Sequence, residues 1–216
     1  MKVVAFVPIK LNSERLPNKN ILPLGDVPLC HHMLETLLKV KAIEDVYVFC
    51  SDETVINYLP KGVHFLKRDS ALDDNLVKGA TIYKSFIEMI EADIYVLAHV
   101  TSPFINATSV ESALDKVMSG KYDSAFSVKK ELGMIWYKDK PLNFDLNDIP
   151  RTQDIEPIFI ETGAFFIFQR DLFSIHKRRV GFKPYMAVTD LIESVDIDYP
   201  EDYELAKAIH KMKVGG

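Results

Sequence analysis

The chain has 216 residues, 48% hydrophobic and 26% charged, with a formal net charge of -5. That length and apolar content suit one globular domain with a sizeable core. The modest acidity argues against a nonspecific nucleic-acid or membrane-surface binder, and no apolar run approaches the roughly 20 residues of a membrane span.

Val3 to Ile9 reads as a first buried strand, short, apolar and β-branched. The polar stretch from Lys10 to Asn20 contains Pro17 and has no helical period, so it is a loop. Pro28 to Val40 carries Leu29, Met33, Leu34, Leu37 and Leu38 at helical spacing. Val46 to Cys50 is a second strand, ending in Ser51-Asp52-Glu53, a helix-start signal. A strand is expected over Val63 to Leu66, a helix over Lys78 to Ile90, a strand over Ile94 to Ala98 and a turn at Thr101-Ser102-Pro103. A helix over Ser109 to Met118 and a strand over Ser124 to Val128 follow.

Between Leu132 and Pro157 the pattern weakens into Gly, Pro, Asn, Asp and lone aromatics, with Trp136 and Tyr137 in a short strand. This reads as an excursion from the sheet at about residues 130–158, a lid or a dimerisation element. Ile158 to Phe168 resumes as a strand, where Gly163 implies a bulge or a close backbone approach. A short helix over Asp171 to Ile175, a strand end over Ser194 to Asp198 and a helix over Pro200 to Met212 complete the chain. Lys177-Arg178-Arg179 reads as a solvated basic run after a helix, or as one near a phosphate.

Alternating strands and amphipathic helices predict a doubly wound, mostly parallel α/β sheet, with 1–216 as a single domain. Ligands in such sheets bind at the carboxyl ends of the strands, near the point where strand order reverses. Three loops qualify: Lys10–Asn20, Ser51–Glu53 and His99–Phe104. Cys30 and Cys50 have no metal-ligand spacing and read as buried small apolar side chains. The opening MKVVAFVPIK lacks the apolar core and cleavage site of a secretion signal, so a reducing cytoplasm is expected.

The first loop gathers Lys10, Arg15 and Lys19, with Asn12 and Ser13 as neutral donors. Charge-assisted donors suit a triphosphate, and turning backbone can add an anion nest. No glycine falls in this loop, and neither a Walker loop nor a dinucleotide fingerprint occurs, so side chains must do the holding. Near the other end Asp196 and Asp198, two apart on the expected strand, point to one face. A hard cation such as Mg²⁺ binds one or two carboxylates together with substrate phosphates.

Ser13, Leu16-Pro17, Lys19 and Asn20 resemble the amino-terminal signature of the cytidylyltransferases that activate acidic sugars, the CMP-sialic acid and CMP-Kdo synthetases. Lys10 stands where that family usually has Arg, keeping the charge but losing the bidentate fork. Thr101-Ser102-Pro103 resembles the family's Q-P-T-S-P turn, with His99 in place of Gln. Glu161-Thr162-Gly163-Ala164 resembles its N-G-A segment, and Asp196-Ile197-Asp198 its D-I-D close.

The resemblance implies a nucleotidyltransferase Rossmann-like fold and a cytidylyltransferase that joins an acidic sugar to CMP from CTP. It implies Lys10, Lys19 and Asp198 as catalytic groups, and Lys10, Asn12, Ser13, Arg15, Lys19, Asn20 and Arg68 around the nucleotide. His99, Thr101, Ser102, Arg151, Gln153, Thr162 and Gly163 fall to the sugar, and Asp196 and Asp198 to Mg²⁺, for which Mn²⁺ can substitute. It also implies a homodimer that engages neither nucleic acid nor membrane.

Three points stay open on the residues themselves. His99 is a sugar contact, a general base, or a hydrogen-bonded histidine without a chemical role. Arg151 grips the sugar carboxylate or lies in solvent. Asp73-Asp74-Asn75-Leu76-Val77 lacks the hydroxyls that the family places near cytidine. The alternatives to a CMP-sugar synthetase are a nucleotidyltransferase for another sugar or NTP, and a weakened nucleotide-binding relative.

Overall fold

The structure, a computed structural model, describes residues 1–214. β1 (Val3–Pro8) is followed by a small hairpin of β2 (Pro23–Leu24) and β3 (Val27–Pro28), which leads into helix α1 (Leu29–Lys39). β4 (Asp45–Cys50), β5 (Val63–Lys67), α2 (Gly79–Met89), β6 (Ile94–Ala98) and α3 (Ala107–Met118) come next. After β7 (Ser124–Glu131) the chain makes a hairpin of β8 (Trp136–Tyr137) and β9 (Lys140–Pro141). β10 (Ile158–Gln169), α4 (Arg170–His176), β11 (Pro184–Thr189) and α5 (Pro200–Val214) follow.

Seven strands form one sheet in the order β11-β7-β10-β6-β1-β4-β5. β10 runs antiparallel to both its neighbours, and every other pairing is parallel. From β1 the chain steps outward to β4 and β5, then returns to lay β6 on the opposite side of β1. The carboxyl ends of β1 and β6 therefore flank the reversal of strand order.

β1 is apolar throughout because helices cover both faces of the sheet. Val3, Ala5 and Val7 face one layer with Met33 and Leu34 of α1 and Val110 and Leu114 of α3. Val4 and Phe6 face the other, with Tyr83 and Phe86 of α2 and Leu172 and Phe173 of α4. Phe86 stacks on Phe6 at 4.3 Å between ring centroids. Cys30 and Cys50 are free and buried, and burial pushes the Cys30 thiol up to about 12. No described helix is long and apolar enough to cross a membrane.

Three local expectations change. β11 had no counterpart in the sequence reading; it is an edge strand that begins at Pro184 and exposes Met186 and Val188. Ser194–Asp198 is not a strand: residues 191–194 form a turn and 195–198 have no regular structure. That segment is tied to the turn after β6 by a backbone bond from Ile197 N to Thr101 O at 2.9 Å. The start signal after β4 yields a 3-10 helix, Glu53–Tyr58, whose cap Asp52 accepts from Thr54 N at 2.9 Å.

Candidate active site

The loop behind β1 folds back toward the carboxyl end of the chain. Asn20 donates from Nδ2 to Lys10 O at 2.7 Å, which fixes the loop's width. Lys19, almost fully buried, donates to Ile197 O at 2.7 Å and to Asp198 Oδ1 at 2.9 Å. Arg15 donates from Nη1 to Asp198 Oδ2 at 2.7 Å and lies 5.1 Å from the Tyr199 ring centre. Cations read near residue 15 and a carboxylate read near residue 198 thus meet in one cluster.

Burial opposes the Asp198 charge, but Lys19 first and Arg15 second outweigh it and hold this carboxyl below its ordinary value. Asp196 goes the other way, raised by burial and by the neighbouring Asp198. Ser102 Oγ lies 3.5 Å from Asp196 Oδ1, and Thr101 supplies the carbonyl for Ile197 N, so the turn after β6 is bolted to the acidic segment.

Two adjoining cavities open above the strand ends. One, of about 300 Å³, is walled by Pro8, Arg68, Asp73, Asp74, Tyr83 and His99, among others. The other, of about 200 Å³, is walled by Asn12, Ser13, Arg15 and Lys19. Lys10 and Asn75 border both. Asn75 bridges Lys10 Nζ and the Glu14 carboxylate, so it stands at the junction of the two.

Arg68 is a wall of the larger cavity rather than an outstretched ligand. It is only 3% exposed, donates to Ile9 O and Phe49 O at 3.1 Å each, and pairs with Asp73. Its buried Nε has no hydrogen-bond partner.

His99 follows β6, with its Nδ1 2.5 Å from Gly163 O. A carbonyl oxygen only accepts, so Nδ1 carries the proton and Nε2 keeps its lone pair. Burial, then the charge of Arg179, pushes the imidazole below its ordinary value, against the pull of Asp196 and Glu161. Gly163 presents its carbonyl because β10 is irregular there: its φ is +75°, and the register with β7 shifts between Glu161 and Phe166. Thr162 is held on β7 through Oγ1 to Ser127 Oγ at 2.7 Å.

Arg151 and Gln153 are not brought to these cavities. Both are exposed on the excursion, and Arg151 is engaged by Asp154 at 2.7 and 3.2 Å. Arg179, from the basic run read as solvated or near a phosphate, packs on the same Phe166 ring as His99. Its guanidinium sits 3.6 Å from the Phe166 ring centre, donating to Tyr83 OH at 3.0 Å and Glu161 Oε1 at 3.1 Å. No local sequence signal marks it, because the ring it covers belongs to another element.

Asp196 and Asp198 offer oxygen donors of the kind Mg²⁺ prefers. The described residues contain no group of three or more His, Cys, Asp or Glu side chains suited to a metal. Both Asp198 oxygens are engaged, by Lys19 and Arg15, and Asp196 faces Ser102.

Two curated relatives are both 24% identical to this chain. The N-acylneuraminate cytidylyltransferase of Streptococcus agalactiae aligns over 214 residues, 94% of this chain and 52% of the relative. The pseudaminic acid cytidylyltransferase of Campylobacter jejuni aligns over 229 residues, 98% and 97%. The chain thus spans about half the length of the first of these and nearly all of the second. A solved CMP:2-keto-3-deoxy-manno-octonic acid synthetase, complexed with CTP, shares the fold with a TM-score of 0.75 at 18% identity, covering 99% of this chain and 100% of its own. The family model for cytidylyltransferases matches residues 4–214, and the chain belongs to that family.

Proposed function

We propose that this protein transfers the cytidylyl group of CTP to the anomeric hydroxyl of an acidic, nonulosonic or ulosonic sugar, releasing pyrophosphate. The observation that carries this reading is the meeting of Arg15 and Lys19 with Asp198 beside cavities of nucleotide size. Cytidine fits the larger cavity against Arg68 and Tyr83. The triphosphate fits the smaller, where Lys10, Arg15 and Lys19 offer charged donors, and Asn12 and Ser13 neutral ones. Asn20 holds this loop in shape, and Thr101, Ser102, Thr162 and Gly163 frame the sugar side.

His99 accepts the hydroxyl proton at Nε2 as the sugar oxygen attacks the α-phosphate in line. The bond from the α-phosphorus to the bridging oxygen breaks, and its electrons leave with pyrophosphate. Positioning and charge neutralisation carry the reaction without a covalent intermediate. Asp196 and Asp198 would hold a Mg²⁺ ion, which supplies further charge neutralisation at the phosphates when bound.

The exposed apolar side chains of the excursion, Trp136, Tyr137, Leu142, Leu146 and Ile149, support a homodimer contact there. Residues 1–216 act in this reading as one catalytic unit, in the cytoplasm where CTP is made.

The test is pyrophosphate release from CTP, ATP, GTP and UTP with N-acetylneuraminic acid, pseudaminic acid and 2-keto-3-deoxy-manno-octonic acid. Turnover is expected only with CTP and an acid sugar. The acid limb of kcat/KM should fall below the ordinary imidazole value of about 6.5. Pyrophosphate release without CTP dependence, or none with any acid sugar, overturns the reading.

A further inference from the structure

We propose that Arg179 is the residue that grips the carboxylate of the acid sugar. The inference rests on the reading above and assigns the acceptor's charged group to one side chain. In an ulosonic or nonulosonic acid the carboxylate carbon is bonded directly to the anomeric carbon that carries the attacking hydroxyl. A cation that holds this carboxylate must therefore lie close to the base that takes the hydroxyl proton.

Arg179 meets that demand. Its guanidinium and the His99 ring share Phe166: the first lies 3.6 Å from that ring's centre, and the second packs edge-on at 6.2 Å. Nη1 reaches the hydroxyl of Tyr83, which lines the larger cavity. The stack on Phe166 fixes the plane of the fork, so less side-chain entropy is lost on binding.

Glu161 is the second observation. Its carboxylate already sits 3.1 Å from Arg179 Nη2, two residues before the glycine whose carbonyl orients His99. The guanidinium is thus in contact with a carboxylate, and the Glu161 side chain is 43% exposed and free to swing away. An incoming sugar carboxylate replaces Glu161 at little cost. A neutral sugar has nothing to exchange, which makes the pair a filter for acids. The hydrogen bonds to Glu161 and Tyr83 use two of the five N–H groups of Arg179. Arg151, the other candidate, pairs with Asp154 through Nε and Nη2 on the excursion, whereas Arg179 covers the ring that His99 packs against.

The experiment measures KM for CTP and for whichever acid of the three-sugar panel the wild type uses, together with that sugar's carboxamide. It compares wild type, Arg179→Met, which keeps the apolar stem on Phe166, and Arg179→Lys, which keeps the charge but not the fork. Arg179→Met should raise the KM for the acid roughly 10- to 100-fold, as expected for a lost charge-assisted pair. It should leave the KM for CTP unchanged and erase the preference for acid over carboxamide. Arg179→Lys should fall between the two and retain part of that preference.

An unchanged KM for the acid in either variant, or an undiminished preference over the carboxamide in Arg179→Met, overturns the assignment. If circular dichroism shows Arg179→Met unfolded, Arg179→Lys alone decides it. A wild type inert toward every acid sugar overturns the parent reading and this inference together. An active wild type with indifferent variants overturns this inference alone.

Discussion

Asp198 holds two cations at once, and removing its charge should do two separable things. Asp198→Asn takes away a carboxylate of the proposed Mg²⁺ site, so Mg²⁺-dependent turnover should fall roughly 10²- to 10³-fold. Retained Mg²⁺-dependent activity would remove the metal assignment. The same change removes the partner of the nearly buried Lys19. Because its carboxyl is held below the ordinary value in the folded state, Asp198 adds stability that is present above about pH 3.9. That contribution is lost as pH falls through the lower folded value. The melting temperatures of wild type and Asp198→Asn should differ at pH 7 and converge toward pH 3, and parallel curves across that range would contradict the linkage. At this scale the sequence exposed charge but not address. Lys19 and Asp198 carried a motif, whereas Arg179 acquires its position from a ring on another strand and Arg151 is paired with a neighbour three residues away.

The elements were legible wherever both faces of a segment are buried or a long apolar stripe repeats. β1 and β6 are continuous apolar runs because the sheet is covered on both sides. α1 and α3 display their buried positions at helical spacing. β11 escaped notice because an edge strand is half exposed, and its opening proline and flanking lysine look like a loop. The stretch before α5 misled in the other direction: alternation at Val195, Ile197 and the two aspartates mimics a strand, yet no described strand pairs with it, and a backbone bond to Thr101 together with side-chain bonds from Lys19 and Arg15 fixes it. The seam between α2 and the sheet depends on Phe86, fully buried and stacked on Phe6. Phe86→Ala should cost about 3–5 kcal/mol in urea unfolding. A loss below about 1 kcal/mol would mean that α2 is not anchored there, and with it the Tyr83 wall of the larger cavity.

On the scale of the whole molecule, the apolar surface of the excursion carries the proposed dimer contact. Trp136 and Tyr137 are 54% and 64% exposed in the isolated chain. If two copies meet there, Trp136→Asp combined with Tyr137→Asp should give a monomer in sedimentation velocity while wild type runs as a dimer. A double variant that keeps the wild-type mass would move the contact elsewhere. The clasp of Arg15 and Lys19 on Asp198 joins positions 183 and 179 residues apart. A ribosome exposes the cations first and their counter-charge only 183 and 179 residues later. Until then the emerging polypeptide can build most of its sheet without the clasp, and under the proposed function a product truncated before residue 198 should be inert however well the rest of it has folded.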